Sequence, residues 1–466
     1  MSKPIDAVLD QVLAHVDEGL EQSLERLYAL LRIKSISTDP AYKAECQRAA
    51  DWIVGELKGI GFDAAAHATP GHPVVWARGA EQSGPHVLFY AHYDVQPVDP
   101  VALWHSDPFE PVLSTDAKGR KVIVARGASD DKGQMLTFIE ACRAWQAVAG
   151  ALPVTVSLML EGEEESGGKN LPPFMEAHKE ALGAADIALV CDTDMWDRQT
   201  PSITTMLRGM VGEEIEITCA NKDLHSGMFG NAARNPNQLL AEIIASLRAP
   251  DGSVTLEGFY DDVAEISPEL KAQWAGLGFD EAAYLDEAGL SIPAGEAGRS
   301  VLEMLWARPT CEINGMIGGY TGDGFKTVIP AKASAKISFR LVSGMVPDKI
   351  RAAFRKHVQA MIPADCSVKF TAHGGAPAIT VPSDGTHLRQ ALAGLSAEWG
   401  RPAVMTGSGG SIPVAGDFKR ILGLDTLLIG FAHVDDQIHS PNEKYDLASY
   451  HRGIRSWVRV LAALAG

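Results

Sequence analysis

Apolar residues in the first 31 positions recur every three or four residues, which is helical spacing. This pattern predicts one long amphipathic helix that turns an apolar stripe towards a core and charged residues towards water. The apolar positions are Val8, Leu9, Val12, Leu13, Val16, Leu20, Leu24, Leu27, Leu30 and Leu31.

Short, continuously apolar runs follow, and segments with helical spacing separate them. Continuous apolar strands that alternate with helices indicate a parallel or mixed sheet covered by helices on both faces. This part of the chain is therefore predicted to be an α/β domain. Its strands are VLFY at 87–90, VIVA at 122–125, VTVSLML at 154–160, IALVC at 187–191 and TLLIGF at 426–431.

From about Met210 the hydrophobic pattern changes: apolar and polar residues now alternate, as they do in strands with one face in water. This predicts a smaller α+β domain inserted at 209–383, with 1–208 and 384–466 forming the main domain. Residues 250–306 are irregular and acidic, and the pattern assigns them no role. The alternating strands are EEIEIT, AKISFRLV and SVKFTAH, and the helices beside them are NPNQLLAEIIASLRA and VPDKIRAAFRKHVQAMI.

The composition narrows the class of protein. A net charge of −18 argues against nucleic acid and anionic membrane surfaces as partners, because both recruit basic patches. No run approaches the roughly 18 apolar residues of a membrane span, and charges such as Asp6 and Asp10 argue against a signal peptide. Six scattered cysteines without a C-x-x-C pair favour free thiols in a reducing compartment, so we expect a cytoplasmic protein.

Acidic residues and histidines come directly after the predicted strands of the main domain. In open α/β sheets ligands bind beyond the carboxyl ends of the strands, so these side chains are expected to converge on one rim. A mixed set of imidazoles and carboxylates suits Zn, Mn or Co, and a bridging carboxylate would allow two metals. The candidates are His92, Asp94, Asp130, Asp131, Glu161 to Glu165, Asp192, Asp194 and His439.

Each of these segments also has an ordinary reading. An H-x-D pair at a strand end is often a surface pair, SDDKG is a common helix start, and EGEEESGG at 161–168 resembles a solvated turn. The recurrence of such segments at several strand ends favours a metal site. Within it, Asp94 can orient the ring of His92. The neighbours Glu164 and Glu165 face different ways, so one can ligate a metal while the other acts as a base.

Three other features of the sequence are weaker indications of a binding or catalytic site. GDGFKT at 322–327 resembles a phosphate loop, but Phe325 separates glycine from lysine and no strand–loop–helix context is predicted. GSGGS at 407–411 is either an anion cradle or a flexible turn. His225 and Arg340, in the inserted domain, read as structural residues when taken alone.

Taken together, the segments resemble the dinuclear-zinc peptidases and deacylases, a family that includes carboxypeptidase G, acetylornithine deacetylase, succinyl-diaminopimelate desuccinylase and carnosine dipeptidase. The match is nearest to the dipeptidase branch and runs in family order from about residue 85 to 445. The matching stretches are YAHYDVQP, ARGASDDKGQ, LEGEEESGG, VCDTDMWDRQTPSITTMLRG, KDLHSGMFGN, FKTVIPAKASAKISFRL, GGSIPV and IHSPNEKY.

The resemblance implies a role for each matching residue. Asp130 would bridge two divalent metals, most simply Zn, with His92 and Asp192 completing one site and Glu165 and His439 the other. Asp192 is chosen over Asp194 because it comes directly off the strand. Asp94 would orient His92, and a cis peptide is expected after Asp130. The inserted domain would act as a lid and form a homodimer. The substrate-binding residues would be His225 (reaching across the dimer), Thr327 and Arg340 of that domain and Ser411 of the glycine loop in the main domain.

The implied activity is that of a dipeptidase or carboxypeptidase-like metalloprotease. A water held by the two metals would lose its proton to Glu164 and attack an amide carbonyl, with His225 stabilising the oxyanion. Arg340 would bind a free substrate carboxylate, which suits N-acyl and N-carbamoyl amino acids as well as dipeptides; a non-catalytic metal-binding protein is the remaining alternative. Within the acidic loop, Glu161 is expected to support the turn and Glu163 to face solvent.

Overall fold

The protein is described by a computed structural model that covers residues 5–410 and 412–466. The chain divides into two compact units. The first comprises Met1–Thr205, Val381–Thr406 and Asp417–Gly466, and the second comprises Met206–Thr380 and Gly407–Gly416. The sequence prediction placed its domain boundaries at 208/209 and 383/384 and assigned 407–416 to the main domain.

The N-terminal helical pattern forms two helices, so the prediction of one continuous helix is wrong. Ile5–Glu18 and Leu20–Leu31 are separated at Gly19, a residue that weakens a helix. The apolar spacing continues through the break because both helices pack against the same core. The other α-helices of this unit are Lys43–Gly59, Lys132–Ala149, Leu171–Ala177, Lys179–Leu182, Thr386–Trp399 and Leu447–Ala465.

The largest sheet has nine strands and mixed direction. Its four central strands run parallel, so their carboxyl ends lie at one edge. They are, in spatial order, Thr155–Glu161, His86–His92, Ile187–Val190 and Thr426–Leu428. The strands flanking them are Asp63–His67 and Val74–Arg78 on one side and Ser202–Leu207 with Val404–Ser408 and Ile379–Thr380 on the other.

One predicted strand lies outside this sheet. Lys121–Val124 belongs to a separate three-stranded sheet with Val112–Thr115 and Lys444–Asp446. The expectation that Asp130 follows a strand of the main sheet is therefore wrong. A short buried strand has the same apolar pattern in either sheet, so the pattern does not reveal which partners it pairs with.

Aromatic packing fixes the central strand that leads to the rim. Phe89 is fully buried and stacks on Phe138 of the helix Lys132–Ala149, with ring centroids 3.8 Å apart. Trp457 of the last helix meets both rings edge-on. Close packing of this kind leaves the strand one position, which sets where His92 emerges.

The second unit is an antiparallel sheet with helices packed on it. Its strands are ordered Thr310–Gly318, Lys332–Leu341, Gly209–Thr218 and Ser367–Ala376. The helices Pro236–Ser246 and Pro347–Met361 contribute to its core, together with Ile215, Phe339 and Phe354. Further elements are the strand pair Leu224–His225 and Val328–Ile329 and the short helices Ser226–Phe229, Pro268–Ala275, Glu281–Glu287, Val301–Trp306 and Pro413–Asp417.

The structure confirms the predicted fold class, an α/β unit with a mixed sheet and a second α+β unit. Segment 250–306, to which the sequence pattern assigned no role, contains three of the short helices. Across the described part of the chain, no helix combines the length and apolarity that crossing a membrane requires.

Candidate metal centre

The register of the central strands brings the predicted ligands to one edge of the sheet. His92 pairs with Glu161 across two parallel strands, and Tyr90 pairs with Val190, two residues before Asp192. The side chains that follow these strands therefore start from neighbouring positions. This is the crevice in which open α/β sheets bind ligands.

A first group of ligand atoms comes from His92, Asp130 and Asp192. One donor atom from each residue lies within 4.8 Å of the others. The Nε2 atom of His92 is 3.0 Å from Oδ1 of Asp130, and His92 is fully buried. Asp194, the alternative considered in the sequence, belongs to neither metal-ligand group found among the described residues.

A second group comes from Asp130, Glu165 and His439. Nε2 of His439 lies 2.9 Å from Oδ2 of Asp130 and 3.2 Å from an oxygen of Glu165. The backbone of His439 is left-handed, with φ of 62°, a conformation that non-glycine residues adopt mainly where function or surroundings require it. Asp130 thus directs one oxygen to each group.

The charge balance of this cluster fits a bound cation. Burial raises the pKa of Asp192 well above its ordinary value, and the neighbouring carboxylates of Asp130 and Glu164 add to the shift. Hydrogen bonds to Asp130 and Glu165 raise the pKa of His439 to about 10. Among the described side chains, Oε1 of Glu165 is buried without a hydrogen-bond partner. Crowded carboxylates with a buried, unsatisfied oxygen are costly unless positive charge sits beside them.

Asp94 has a wider role than the sequence suggested. Its Oδ1 lies 3.4 Å from Nδ1 of His92, whereas its backbone carbonyl oxygen is nearer, at 3.1 Å. The carboxylate also accepts the backbone N–H groups of Glu164 and Glu165, at 3.3 and 3.0 Å. Asp94 therefore connects the end of one strand to the acidic loop that follows the next.

The four glutamates of EGEEESGG occupy different environments. Glu161 is buried and accepts the Tyr90 hydroxyl at 2.7 Å. The expectation that Glu163 faces solvent is wrong: it is only 7% exposed and accepts the Asn170 amide at 2.7 Å. A Cβ at Gly71 would lie 1.6 Å from Glu163, so the absence of a side chain there makes room for it.

Glu164 is half-buried, and burial raises its pKa above the ordinary value. The carboxylates of Glu165 and Asp94 act in the same direction, and His92 opposes them. A carboxyl group whose pKa is moved towards neutrality is better suited to exchange protons at physiological pH.

Sequence reasoning missed Glu443, which organises the loop carrying Asp130. This fully buried carboxylate accepts the backbone N–H groups of Asp130 and Ser129, at 3.0 and 2.9 Å, and pairs with Arg126 at 2.8 Å. The peptide between Asp130 and Asp131 is cis, as the resemblance implied. The only available signal for Glu443 was its position four residues after His439 in IHSPNEKY.

The remaining predicted residues lie in the second unit. His225 is exposed, and its backbone pairs with Val328, next to the exposed Thr327. Arg340 is half-buried on a central strand of that unit. Ser411, predicted to contact substrate, lies outside the described residues.

Arg208 was not singled out in the sequence, although it stands within the matching stretch. Its guanidinium donates hydrogen bonds to the carbonyl oxygens of Gly409 and Met304, at 3.2 and 3.3 Å. Burial lowers its pKa to about 10, and the nearby charge of Arg340 adds to the shift. Arg208 thereby holds the glycine loop that precedes Ser411, which explains why residues 407–416 belong to the second unit.

Replacing Asp192 by asparagine is expected to remove about one equivalent of bound metal per chain, because only the first ligand group loses a charged oxygen. Asp194→Asn is the matched control, since it changes the same functional group two residues away. The metal content of each dialysed variant can be measured by elemental mass spectrometry. Equal metal loss in both variants, or loss in Asp194→Asn alone, would contradict the assignment.

Comparisons with known proteins agree with this geometry. The family described as Peptidase family M20/M25/M40 matches residues 88–463. The chain is 31% identical to the Cys-Gly metallodipeptidase dug1 of Schizosaccharomyces pombe, over 98% of each protein. It is 28% identical to the Beta-Ala-His dipeptidase of Rattus norvegicus, over 97% of this chain and 95% of the relative.

A solved structure shows the same relationship. The M20 family metallo-carboxypeptidase Sso-CP2 from Sulfolobus solfataricus superposes with a TM-score of 0.78 at 30% identity, covering 95% of this chain and 99% of that chain.

Proposed function

The chain belongs to peptidase family M20/M25/M40, and we infer that it is a hydrolase that cleaves dipeptides or similar short peptides with two divalent metal ions at the sheet rim. The observation that carries this proposal is Asp130, whose two oxygens face two separate ligand groups. A carboxylate so placed can bridge two ions. The relatives named as Cys-Gly and Beta-Ala-His dipeptidases support a dipeptide substrate.

The donors present fit such ions. His92, Asp130 and Asp192 would hold one, and Asp130, Glu165 and His439 the other. Mixed nitrogen and oxygen donors suit Zn, with Mn and Co as alternatives. When bound, the ions act as Lewis acids towards the amide carbonyl and make water more acidic.

Glu164 would be the residue that moves protons. Its carboxylate would take a proton from the attacking water and return it to the amine that leaves. Two features support this role: burial raises the pKa of its carboxyl, and Asp94 holds its backbone N–H at 3.3 Å. Glu165, the next residue, is held in the same way and faces the ligand group.

Arg340 would bind the free carboxylate of the substrate, as the resemblance implies, because a guanidinium can form two parallel hydrogen bonds to it. His225, supplied by the partner subunit of a homodimer, would help to hold the scissile carbonyl, with Thr327 and Ser411 beside the substrate. A dimer through the second unit is supported by its edge strand Thr310–Gly318, which pairs on one side only among the described strands and carries exposed apolar residues. These are Ile313, Met316 and Ile317.

The six cysteines of the chain are free thiols, which favours a reducing compartment, and we propose a cytoplasmic enzyme.

A substrate panel tests the proposed function. Metal-reconstituted protein is assayed against dipeptides, N-acetyl amino acids and N-carbamoyl amino acids. We expect the highest kcat/KM for a dipeptide, and loss of that activity on chelation. Preference for an acylated or carbamoylated amino acid would replace the proposal with an amidohydrolase. Metal binding without turnover of any class would indicate a non-catalytic protein.

Mixing of variant subunits tests the shared site. His225→Ala and Arg340→Ala homodimers are each expected to lose most activity, since each removes a substrate contact. When they are unfolded, mixed and refolded together, a fraction of the activity should return, because each heterodimer keeps one site with both residues intact. Confirmed heterodimers that stay inactive would place His225 in its own subunit's site or outside catalysis.

A further inference from the structure

Two of the six cysteines face one another in the second unit. The sulfur atoms of Cys219 and Cys366 are 2.9 Å apart, and both side chains are partly buried against the core of this unit. The other four cysteines, Cys46, Cys142, Cys191 and Cys311, are buried. A close pair of accessible thiols is therefore confined to one place among the described residues.

Strand pairing sets this geometry. Thr218 lies opposite Ser367 where the strand Gly209–Thr218 pairs antiparallel with Ser367–Ala376. Cys219 follows the end of the first strand and Cys366 precedes the start of the second, so the two cysteines lie just beyond the last pair of this ladder. Residues opposite one another on antiparallel strands have Cα atoms about 4.5–5.5 Å apart, which lies within the range that a disulfide spans.

The two cysteines also lie at the base of a functional segment. Cys219 begins the stretch 219–234, which contains His225. The backbone N–H of Cys219 donates a hydrogen bond to the carbonyl oxygen of Ala331 at 3.0 Å. At its other end Arg234 forms an ion pair with Asp365, the neighbour of Cys366, at 3.4 Å. The sulfur contact of Cys219 with Cys366 and the ion pair of Arg234 with Asp365 thus place both ends of the segment beside the turn 363–366.

We propose that Cys219 and Cys366 form a reversible disulfide with each other by exchange with low-molecular-weight disulfides. This bond fastens the base of the segment that carries His225. The ion pair between Arg234 and Asp365 is exposed, and exposed ion pairs contribute little. A covalent bond at the other end of the segment would hold it far more firmly, because it restricts the opened state.

The exchange is balanced without any metal or cofactor. A thiolate of the protein attacks one sulfur of the small disulfide, giving a mixed disulfide and releasing one small thiol. The second protein thiol loses its proton, attacks the protein-bound sulfur and releases the other small thiol. The protein thus loses two hydrogen atoms, and the small disulfide is reduced to two thiols.

The order of attack follows from the surroundings of the sulfurs. Burial, together with the neighbouring Cys366 thiol, raises the pKa of Cys219 to about 12. Cys219 therefore keeps its proton more firmly than an ordinary cysteine does, and it suits the second, resolving step. Cys366 follows two exposed residues, Ala364 and Asp365, so a small disulfide can reach it.

Mass spectrometry tests the bond. The intact metal-loaded protein is equilibrated with glutathione buffers of increasing oxidised fraction and quenched in acid. We expect a loss of two hydrogen masses and, after tryptic digestion, a linked pair of peptides spanning 209–222 and 357–369. Dithiothreitol should reverse both changes. A stable glutathione adduct on Cys366 alone, or an unchanged mass under fully oxidising buffer, would overturn the proposal.

Limited proteolysis tests the consequence. Lys222 is exposed and lies three residues after Cys219, so trypsin can cut there when the segment opens. Oxidation should slow this cut at least about tenfold, because the bond restricts opening. In Cys366→Ser, oxidised buffer should leave the rate unchanged. An equal slowing in that variant, or none in the wild-type protein whose linkage is confirmed, would show that the bond does not fasten the segment. Neither readout depends on peptidase activity, so both stand apart from the proposed function.

Discussion

Replacing Glu164 by alanine is expected to lower turnover at least about a hundredfold while the bound metal stays at the wild-type level. A positioned general base contributes roughly a hundredfold or more to rate, and Glu164 belongs to neither ligand group of the described residues. Burial also raises the pKa of Glu164 above its ordinary value, which makes its carboxylate a stronger base towards water. In this variant turnover should therefore fall while the metal content does not change.

The adjacent glutamate supplies a matched control. Glu163→Gln removes a carboxylate from the same loop but keeps the side-chain size and an oxygen able to accept the Asn170 amide. We expect it to retain turnover within a few-fold, whereas Glu164→Gln should fall as far as Glu164→Ala. Steady-state kinetics with metal analysis distinguishes the cases. Near-wild-type turnover in both Glu164 variants would rule out the proposed base.

Much of this site was predictable because buried parallel strands have a strong sequence signal. The strands ending at His92, Glu161 and Val190 are continuous apolar runs, and their polar continuations must emerge at one edge. The candidates His92, Glu165 and Asp192 were therefore visible before any contact was known, whereas Asp130 does not follow a strand of this sheet. Their individual roles came from the resemblance and not from spacing, since periodicity does not distinguish a ligand from a base.

Features that depend on long-range partners were not predictable. The strand Lys121–Val124 pairs with Lys444–Asp446, more than 300 residues away, and not with the main sheet. Glu443 follows from the same pairing, because it precedes that partner strand and so reaches the backbone of Asp130. A local apolar pattern carries no information about such partners.

In the acidic loop 161–168, the sequence prediction was wrong about the exposure of Glu163. A run of charges looks solvated, yet Glu163 is buried because Asn170 satisfies it and Gly71 leaves space. Burial of a charge depends on partners brought by the fold, not on the charge itself.

Replacing Asp130 by asparagine is expected to have the largest effect of any single substitution in this protein. The change preserves the shape of the side chain but removes its negative charge and one carboxylate oxygen, and Asp130 is the residue common to both ligand groups. Metal should fall for both sites together. Losing several kcal/mol of charge stabilisation would reduce turnover about a thousandfold.

The comparison with Asp192→Asn decides whether Asp130 bridges two ions. If it does, Asp192→Asn keeps close to half of the wild-type metal and Asp130→Asn keeps much less, because the first variant spares the group of Glu165 and His439. Elemental analysis after dialysis measures this, with circular dichroism to confirm that both variants fold. Equal retention of half the metal would mean that Asp130 serves one ion only. Burial raises the pKa of Asp130, but hydrogen bonds from His439 and His92 lower it below its ordinary value. If Asp130 serves one ion only, one of these two histidines would contact Asp130 without sharing a metal ion with it.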